Sequence, residues 1–265
     1  MILDWFFIKD FQAWEIAVIL CTGLVIGMGK TGLNGINTTM VPLMALVFGA
    51  KESTGIMLPM LCTADLIAVL WYHRKAEWKQ ILRLLPWALG GLVLGLLVDS
   101  LIPARGFKFL IGFCIFLGLG VMFWNDSATF RQGDKRRAKD NAVPTTWWFS
   151  AIFGLMGGFS TMIGNAAGPI MAVFLLSMRL PKENFVGTAA WYFMIVNYIK
   201  IPLQIFIWHN VSLQGFLFNL CMIPIIVIGA VLGIIIVKIV SEKAYRILVY
   251  VMTIISASLL FINFS

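Results

Sequence analysis

The chain has 265 residues and a formal net charge of +8; 60% of its residues are hydrophobic and only 12% are charged, a balance outside that of soluble domains. Apolar stretches of about 20 residues have the length a helix needs to cross the hydrocarbon core, while the ~10-residue alternation of a membrane barrel is missing. Nucleic acid is not needed to explain the positive charge, because Lys and Arg cluster between the apolar runs, where membrane topology accounts for them.

The first apolar run follows Asp4, Lys9, Asp10 and Glu15. It lacks the basic leader and small-residue cleavage site of a signal peptide, so the N-terminus reads as mature. The stretch 14–48 is too long for one span and too short for two with a turn. Its middle, Gly27-Met28-Gly29-Lys30-Thr31-Gly32-Leu33-Asn34-Gly35, should break the helix, leaving two half-helices in a re-entrant hairpin. Full spans are expected at 53–72, 80–98 and 105–124. Residues 126–145 form a polar linker carrying Arg131, Lys135, Arg136, Arg137 and Lys139. A solvated cytoplasmic loop is the simpler reading of it, ahead of a lipid or partner site. The pattern then recurs: 147–178 is an interrupted stretch broken within Gly154 to Gly168, and spans follow at 183–207, 214–237 and 242–264.

This recurrence divides the chain into a first membrane repeat, 1–125, and a second, 146–265. Gly27 corresponds to Gly154 and Pro42 to Pro169 at one offset; Pro86 corresponds to Pro224, Gly91 to Gly229, Gly95 to Gly233 and Lys108 to Arg246 at a slightly larger one. Ordered Pro and Gly matches of this kind indicate duplication. The fold class expected is therefore an all-α integral membrane protein of two inverted repeats, each a broken re-entrant hairpin plus three transmembrane helices. Charge tests the inversion. It puts Arg74, Lys75, Lys79, Arg83, the linker cations, Arg179, Lys182, Lys238, Lys243 and Arg246 on one face, leaving Lys9, Lys51, Arg105 and Lys108 on the other. The positive-inside rule makes the first face cytoplasmic and places both termini outside. A parallel repeat, with each interrupted stretch counted as one span, would scatter these loops over both faces.

Irregular backbone at membrane depth is tolerated where protein or a water-filled cavity satisfies its polar groups. The two breaks are thus expected to converge near the midplane, each offering a half-helix N-terminus: Asn37-Thr38-Thr39 before Pro42, and Gly164-Asn165-Ala166-Ala167 before Pro169. Such ends carry about half a positive unit charge and bind anions. The candidate substrate-binding residues are Lys30, Asn34, Asn37, Thr38, Thr39, Ser160, Thr161 and Asn165. Lys30 either meets an anion there or snorkels to the outer interface. Asp65 and Asn197 occupy matching places in the first full span of each half. Asp65 is a candidate carrier of a coupling proton or a partner for a lysine; an inter-helix hydrogen bond is the plainer alternative. Lys200 and Gln204 follow Asn197 on a similar face, with Lys200 lining the outer exit or snorkelling.

Other signals carry less. Gly29-Lys30-Thr31 resembles a phosphate-binding loop, but five residues separate Gly23 from Gly29 where that motif has four, and no strand precedes it. Cys21, Cys62, Cys114 and Cys221 are scattered singly and read as small core hydrophobes. His73 and His209 lie outside the spans, so no metal site and no cofactor are expected. Trp71, Trp78, Trp124, Trp147, Trp148 and Trp208 fall near span ends as an interfacial belt.

On the Gly-rich segment ending in Pro42, its counterpart from Gly154 to Pro169, and the later Pro86 to Gly95 and Pro224 to Gly233 segments, the sequence resembles the TauE/SafE (TSUP) family of sulfite exporter-like permeases over nearly its whole length. The resemblance implies transport of sulfite, sulfonates or other small sulfur-containing and organic anions, often outward, at a bacterial inner membrane. One departure is that Met156-Gly157-Gly158 stands where the first half has Gly29-Lys30-Thr31, so any cationic contribution from the breaks is one-sided. The expected partners are a small anion, membrane lipid and a proton as coupling ion, with a homodimer as a candidate assembly. A secondary transporter is the leading reading. An anion channel fits the repeats too, whereas a membrane enzyme lacks the intramembrane His or Glu cluster it would need.

Overall fold

A computed structural model describes residues 11–98 and 147–259. The span expected at 105–124 and the linker 126–145 lie outside the described residues. Within them every element is helical: α1 Ala13–Thr31, a 3-10 turn Ile36–Thr39, α2 Met40–Phe48, α3 Ala50–Tyr72, α4 Trp78–Val98, α5 Trp147–Gly164, α6 Gly168–Ser177, α7 Lys182–Phe206, α8 Leu213–Ile239 and α9 Glu242–Leu259. Four stretches, Ala13–Thr31, Glu52–Tyr72, Trp78–Leu97 and Leu213–Ile239, are long and apolar enough to cross a membrane. Around α8, small or slim residues such as Gly229, Ala230 and Gly233 face inward, while Leu220, Val227, Val231 and Ile235 face out. A helix apolar on all sides suits lipid and not water, and the chain is an integral membrane protein.

Both interrupted stretches are hairpins whose ends meet. Phe11 and Phe48, at the two ends of the first, have ring centroids 5.8 Å apart; Phe149 and Phe174, at the ends of the second, stack at 5.7 Å. The breaks are shorter and later than the sequence suggested. Gly27 and Gly29 are helical within α1, which continues to Thr31, and Gly154, Gly157 and Gly158 are helical within α5. The chain departs from helix only around Gly32 to Gly35, where Gly35 takes φ 101°, and around Asn165, with φ 52°. Glycine and asparagine are the residues that tolerate this left-handed conformation.

The remaining glycines act between helices. A methyl on Gly27 would strike the backbone of Ile226 and Ala230 on α8, and one on Gly229 the backbone of Leu24; a methyl on Gly158 would strike Ala88 on α4, and one on Gly91 the backbone of Leu155 and Phe159. Thus α1 packs backbone to backbone on α8, and α5 does the same on α4. This is the close approach that small residues permit between membrane helices, and it accounts for the Gly27/Gly154 and Gly91/Gly229 correspondences.

Contact order along these pairs fixes helix direction. Gly23 lies by Met222, Gly27 by Ala230 and Gly32 by Gly233, so α1 and α8 are parallel; Leu84 by Gly154, Ala88 by Gly158 and Gly95 by Met162 make α4 and α5 parallel. Across α3 and α7 the order reverses, from Thr54 near Asn210 through Asp65 on Asn197 to Lys75 near Gly187. One end of the bundle therefore gathers the 73–77 turn, the 178–182 turn and the start of α9, joined by Lys75 to Glu183 (2.7 Å) and Lys182 Nζ to the Val240 carbonyl (2.6 Å). The opposite end holds the 207–212 turn, beside Gly55.

Candidate functional site

The hairpin tips touch. A methyl built on Gly168 would sit 2.9 Å from the Gly35 Cα, so the start of α6 faces the 3-10 turn that leads into α2. Neighbouring helices take up carbonyls freed by the first break: Tyr245 Oη donates to the Gly32 carbonyl at 2.7 Å and Ser256 Oγ to the Gly35 carbonyl at 2.9 Å, while Thr31 Oγ1 ties the end of α1 to α8 through the Ala230 carbonyl at 2.7 Å. At the second break the Asn165 side chain donates to the Thr54 carbonyl at 3.2 Å. Irregular backbone in the membrane interior requires such partners.

Between the tips lies a cavity of about 320 Å³ of space not filled by atoms, counted out to its opening. It is lined by Lys30, Asn34, Gly35, Asn37 and Thr38 from the first hairpin, Thr161, Asn165 and Gly168 from the second, Leu61 on α3, and Phe193 and Asn197 on α7. Its polar lining is under-used by the protein itself. Asn34 Nδ2, Asn37 Oδ1, Thr38 Oγ1 and Asn197 Oδ1 are buried with no hydrogen-bond partner among the described residues, where such groups are normally paired. All four residues line the cavity.

Lys30 does not snorkel. It is 4% exposed, and its Nζ lies 2.8 Å from Asp65 Oδ1 and 4.0 Å from the centroid of the Phe193 ring. Asp65 Oδ2 in turn accepts from Asn197 Nδ2 at 2.6 Å. The two polar residues that the repeat equated, Asp65 and Asn197, are thus in direct contact, and Asp65 is partner to a lysine. A buried charge this deep is sustained by such pairing and by the second hydrogen bond.

Lys200 corrects the sequence reading. It does not snorkel: it is fully buried, and Nζ donates to the Thr161 carbonyl at 2.5 Å and to Asn165 Oδ1. On its helix, α7, Tyr192, Val196 and Asn197 are buried alongside it. Of the other expected site residues, Thr39 lies outside the lining and its hydroxyl donates to the Ile36 carbonyl at 2.6 Å, closing its own turn. Ser160 is buried on α5 outside the lining, and Gln204 is fully buried beyond Lys200. Cys21 and Cys221 are exposed on outward helix faces and not in the core, whereas Cys62 is buried; an outward cysteine facing lipid costs nothing. Cys114 lies outside the described residues. No group of metal-ligating side chains is found among the described residues.

Sequence reasoning missed Leu61 and Phe193. A signal for them existed, since each stands one helical turn before the polar residue of its span, Leu61 before Asp65 and Phe193 before Asn197. On one face of a helix, the i and i+4 positions reach the same cavity.

The family model for the sulfite exporter TauE/SafE matches residues 16–260 of the chain. No curated protein and no solved structure matches it.

Proposed function

The chain belongs to the TauE/SafE sulfite exporter family, a family of membrane transporters, and from that premise we propose that it is a secondary transporter that holds one small sulfur-containing or organic anion, sulfite or a sulfonate, between its hairpin tips and moves it by alternating access. The observation that carries this reading is the cavity where two breaks meet, with Lys30 and unpartnered amide and hydroxyl groups around it. Lys30 and Asp65 balance one another, while no carboxylate lies within ion-pair distance of Lys200 among the described residues. With its ammonium protonated, Lys200 leaves the site one positive charge in excess, in a setting where water screens weakly. The α6 N-terminus adds partial positive charge.

Alternating access is the natural motion of an inverted repeat, and helix direction supports that architecture. In the first half α1 and α3 run one way and α4 the other; their counterparts α5, α7 and α8 each run oppositely. In this arrangement the hairpins enter from opposite faces and are re-entrant. The cationic end, with Arg74, Lys75, Arg179, Lys182, Lys238 and Lys243, is the cytoplasmic one by the positive-inside rule, which puts the 207–212 turn outside a bacterial inner membrane. In a cysteine-free background, a cysteine at position 210 should react with an impermeant maleimide added to intact cells, and one at position 75 should react only after lysis. The reverse pattern would invert the topology proposed.

An interior-negative potential drives an anion outward by about 2.3 kcal/mol per charge per 100 mV, so export requires no coupling ion. Counterflow of radiolabelled sulfite, taurine, sulfoacetate and thiosulfate in proteoliposomes tests the function. Saturable, trans-stimulated exchange of at least one is expected. Flux that neither saturates nor responds to the trans anion would mean a channel, and no flux of any would end the transporter reading.

A further inference from the structure

Beyond the central cavity, α7 carries two polar residues that the binding scheme above does not use as ligands. Lys200 is fully buried and spends two of its three donors on the second hairpin tip, through the Thr161 carbonyl and Asn165 Oδ1. One turn on, Gln204 is also 0% exposed, and neither Oε1 nor Nε2 of its side chain has a hydrogen-bond partner among the described residues. A buried amide with neither atom satisfied is rare in a finished fold. Its position on a helix beside an ammonium group points to a polar occupant, and the ammonium selects an anion over a cation.

The order of groups along α7 gives this pair a place on a path. Asn197 lines the cavity, Lys200 follows after one turn, and Gln204 lies roughly 10 Å beyond Asn197 by helical rise, toward the 207–212 end. Between cavity and pair stands Asn165, held at φ 52° with its amide donating to the Thr54 carbonyl and its oxygen accepting from Lys200. Asn165 therefore faces the cavity on one side and occupies the Lys200 ammonium on the other.

We propose that Lys200 and Gln204 form a second anion subsite on the 207–212 side of the central cavity, entered when the transported anion replaces Asn165 on the Lys200 ammonium. The anion accepts from Lys200 Nζ and from Gln204 Nε2, and Asn165 returns to Lys200 once it has left. The ligand is the same small oxyanion or sulfonate that occupies the centre, so the inference rests on the transporter reading. Because Gln204 lies on the path and not at the centre, its amide governs how fast the anion passes and leaves central affinity alone.

The test uses the full chain, purified and reconstituted, with whichever of sulfite, taurine, sulfoacetate or thiosulfate the wild type exchanges. Gln204→Leu and Gln204→Met remove the amide without breaking a hydrogen bond seen in the structure. Each should slow exchange about tenfold, the loss of one hydrogen bond to a charged ligand. Equilibrium binding of the same anion should stay within about twofold of wild type, and the melting temperature should be unchanged or higher. Lys200→Gln, which keeps a donor for Asn165 but removes the charge, should slow exchange further. Wild-type exchange rates in both Gln204 variants would overturn the subsite while leaving the transporter intact, and so would a slowing matched by lower melting temperatures. A wild type that exchanges none of the four anions would overturn the transporter reading and the subsite with it.

Discussion

Lys30→Met is expected to cost the fold about 3–5 kcal/mol and to weaken anion binding about tenfold or more. The stability loss follows from what the substitution leaves behind. Asp65 is fully buried, its Oδ1 is 2.8 Å from Lys30 Nζ, and its remaining neighbour is the Asn197 amide. Removing one partner of such a pair strands a charge in a medium that cannot hydrate it, whereas replacing the pair with apolar groups of similar size is often tolerated. Lys30→Met combined with Asp65→Leu should therefore recover most of the lost melting temperature in detergent. It should not recover binding, because the cavity has lost a cation that lines it. Lys30→Arg should keep the charge and part of the affinity with altered donor geometry. Unchanged melting of Lys30→Met would show that Asp65 is not held by this pair; full-strength binding by the double variant would remove Lys30 from the site.

The second large effect is expected from a single methyl. Gly158→Ala places a carbon against the backbone of Ala88, with no flexible side chain able to yield, so α4 and α5 must separate along their shared length. Overpacking of a close-packed contact costs about 1–3 kcal/mol even when side chains can adjust, and here the loss should reach the upper end of that range or exceed it. Gly229→Ala, whose methyl would meet the Leu24 backbone on α1, should behave alike at the α1 and α8 contact. Gly164→Ala serves as the control: a methyl there has nothing within 4 Å and should leave melting unchanged or slightly improved. Size-exclusion profiles and thermal melts of the three variants compare these outcomes directly. A Gly158→Ala protein as stable as Gly164→Ala would contradict the packing of α4 on α5.

Some of this architecture was legible one residue at a time. The lengths of the apolar runs gave α3, α4, α7 and α8 to within a few residues, because burial in lipid demands about 20 apolar residues whatever the tertiary arrangement. The sequence also paired Gly27 with Gly154 and Gly91 with Gly229, and all four sit where two helices approach closely. Their meaning was misread, since a glycine that frees the backbone and a glycine that lets two helices touch look the same in sequence. Gly27 and Gly154 are of the second kind, whereas Gly35, at φ 101°, and Gly49, at φ 90°, need their conformational freedom. Lys200 was misplaced for a similar reason: distance along a helix locates a residue in depth but not in azimuth, and its face of α7 turned out to be the innermost one.

By itself, then, the sequence determined that this chain lives in a membrane, that it is helical, that two of its stretches must break, and that Lys30, Asn34, Asn37, Thr38, Thr161 and Asn165 stand at those breaks. These follow from local rules of hydropathy, backbone freedom and spacing, which act within a few residues of each other. Only the tertiary structure decided that the breaks meet at Gly35 and Gly168, that Lys30 is neutralised by Asp65, that Asn197 completes the pair, and that Lys200 is committed to Asn165. Each of these joins groups 35 or more residues apart in the chain, and which charge meets which carboxylate depends on helix rotation set by packing that no local pattern encodes.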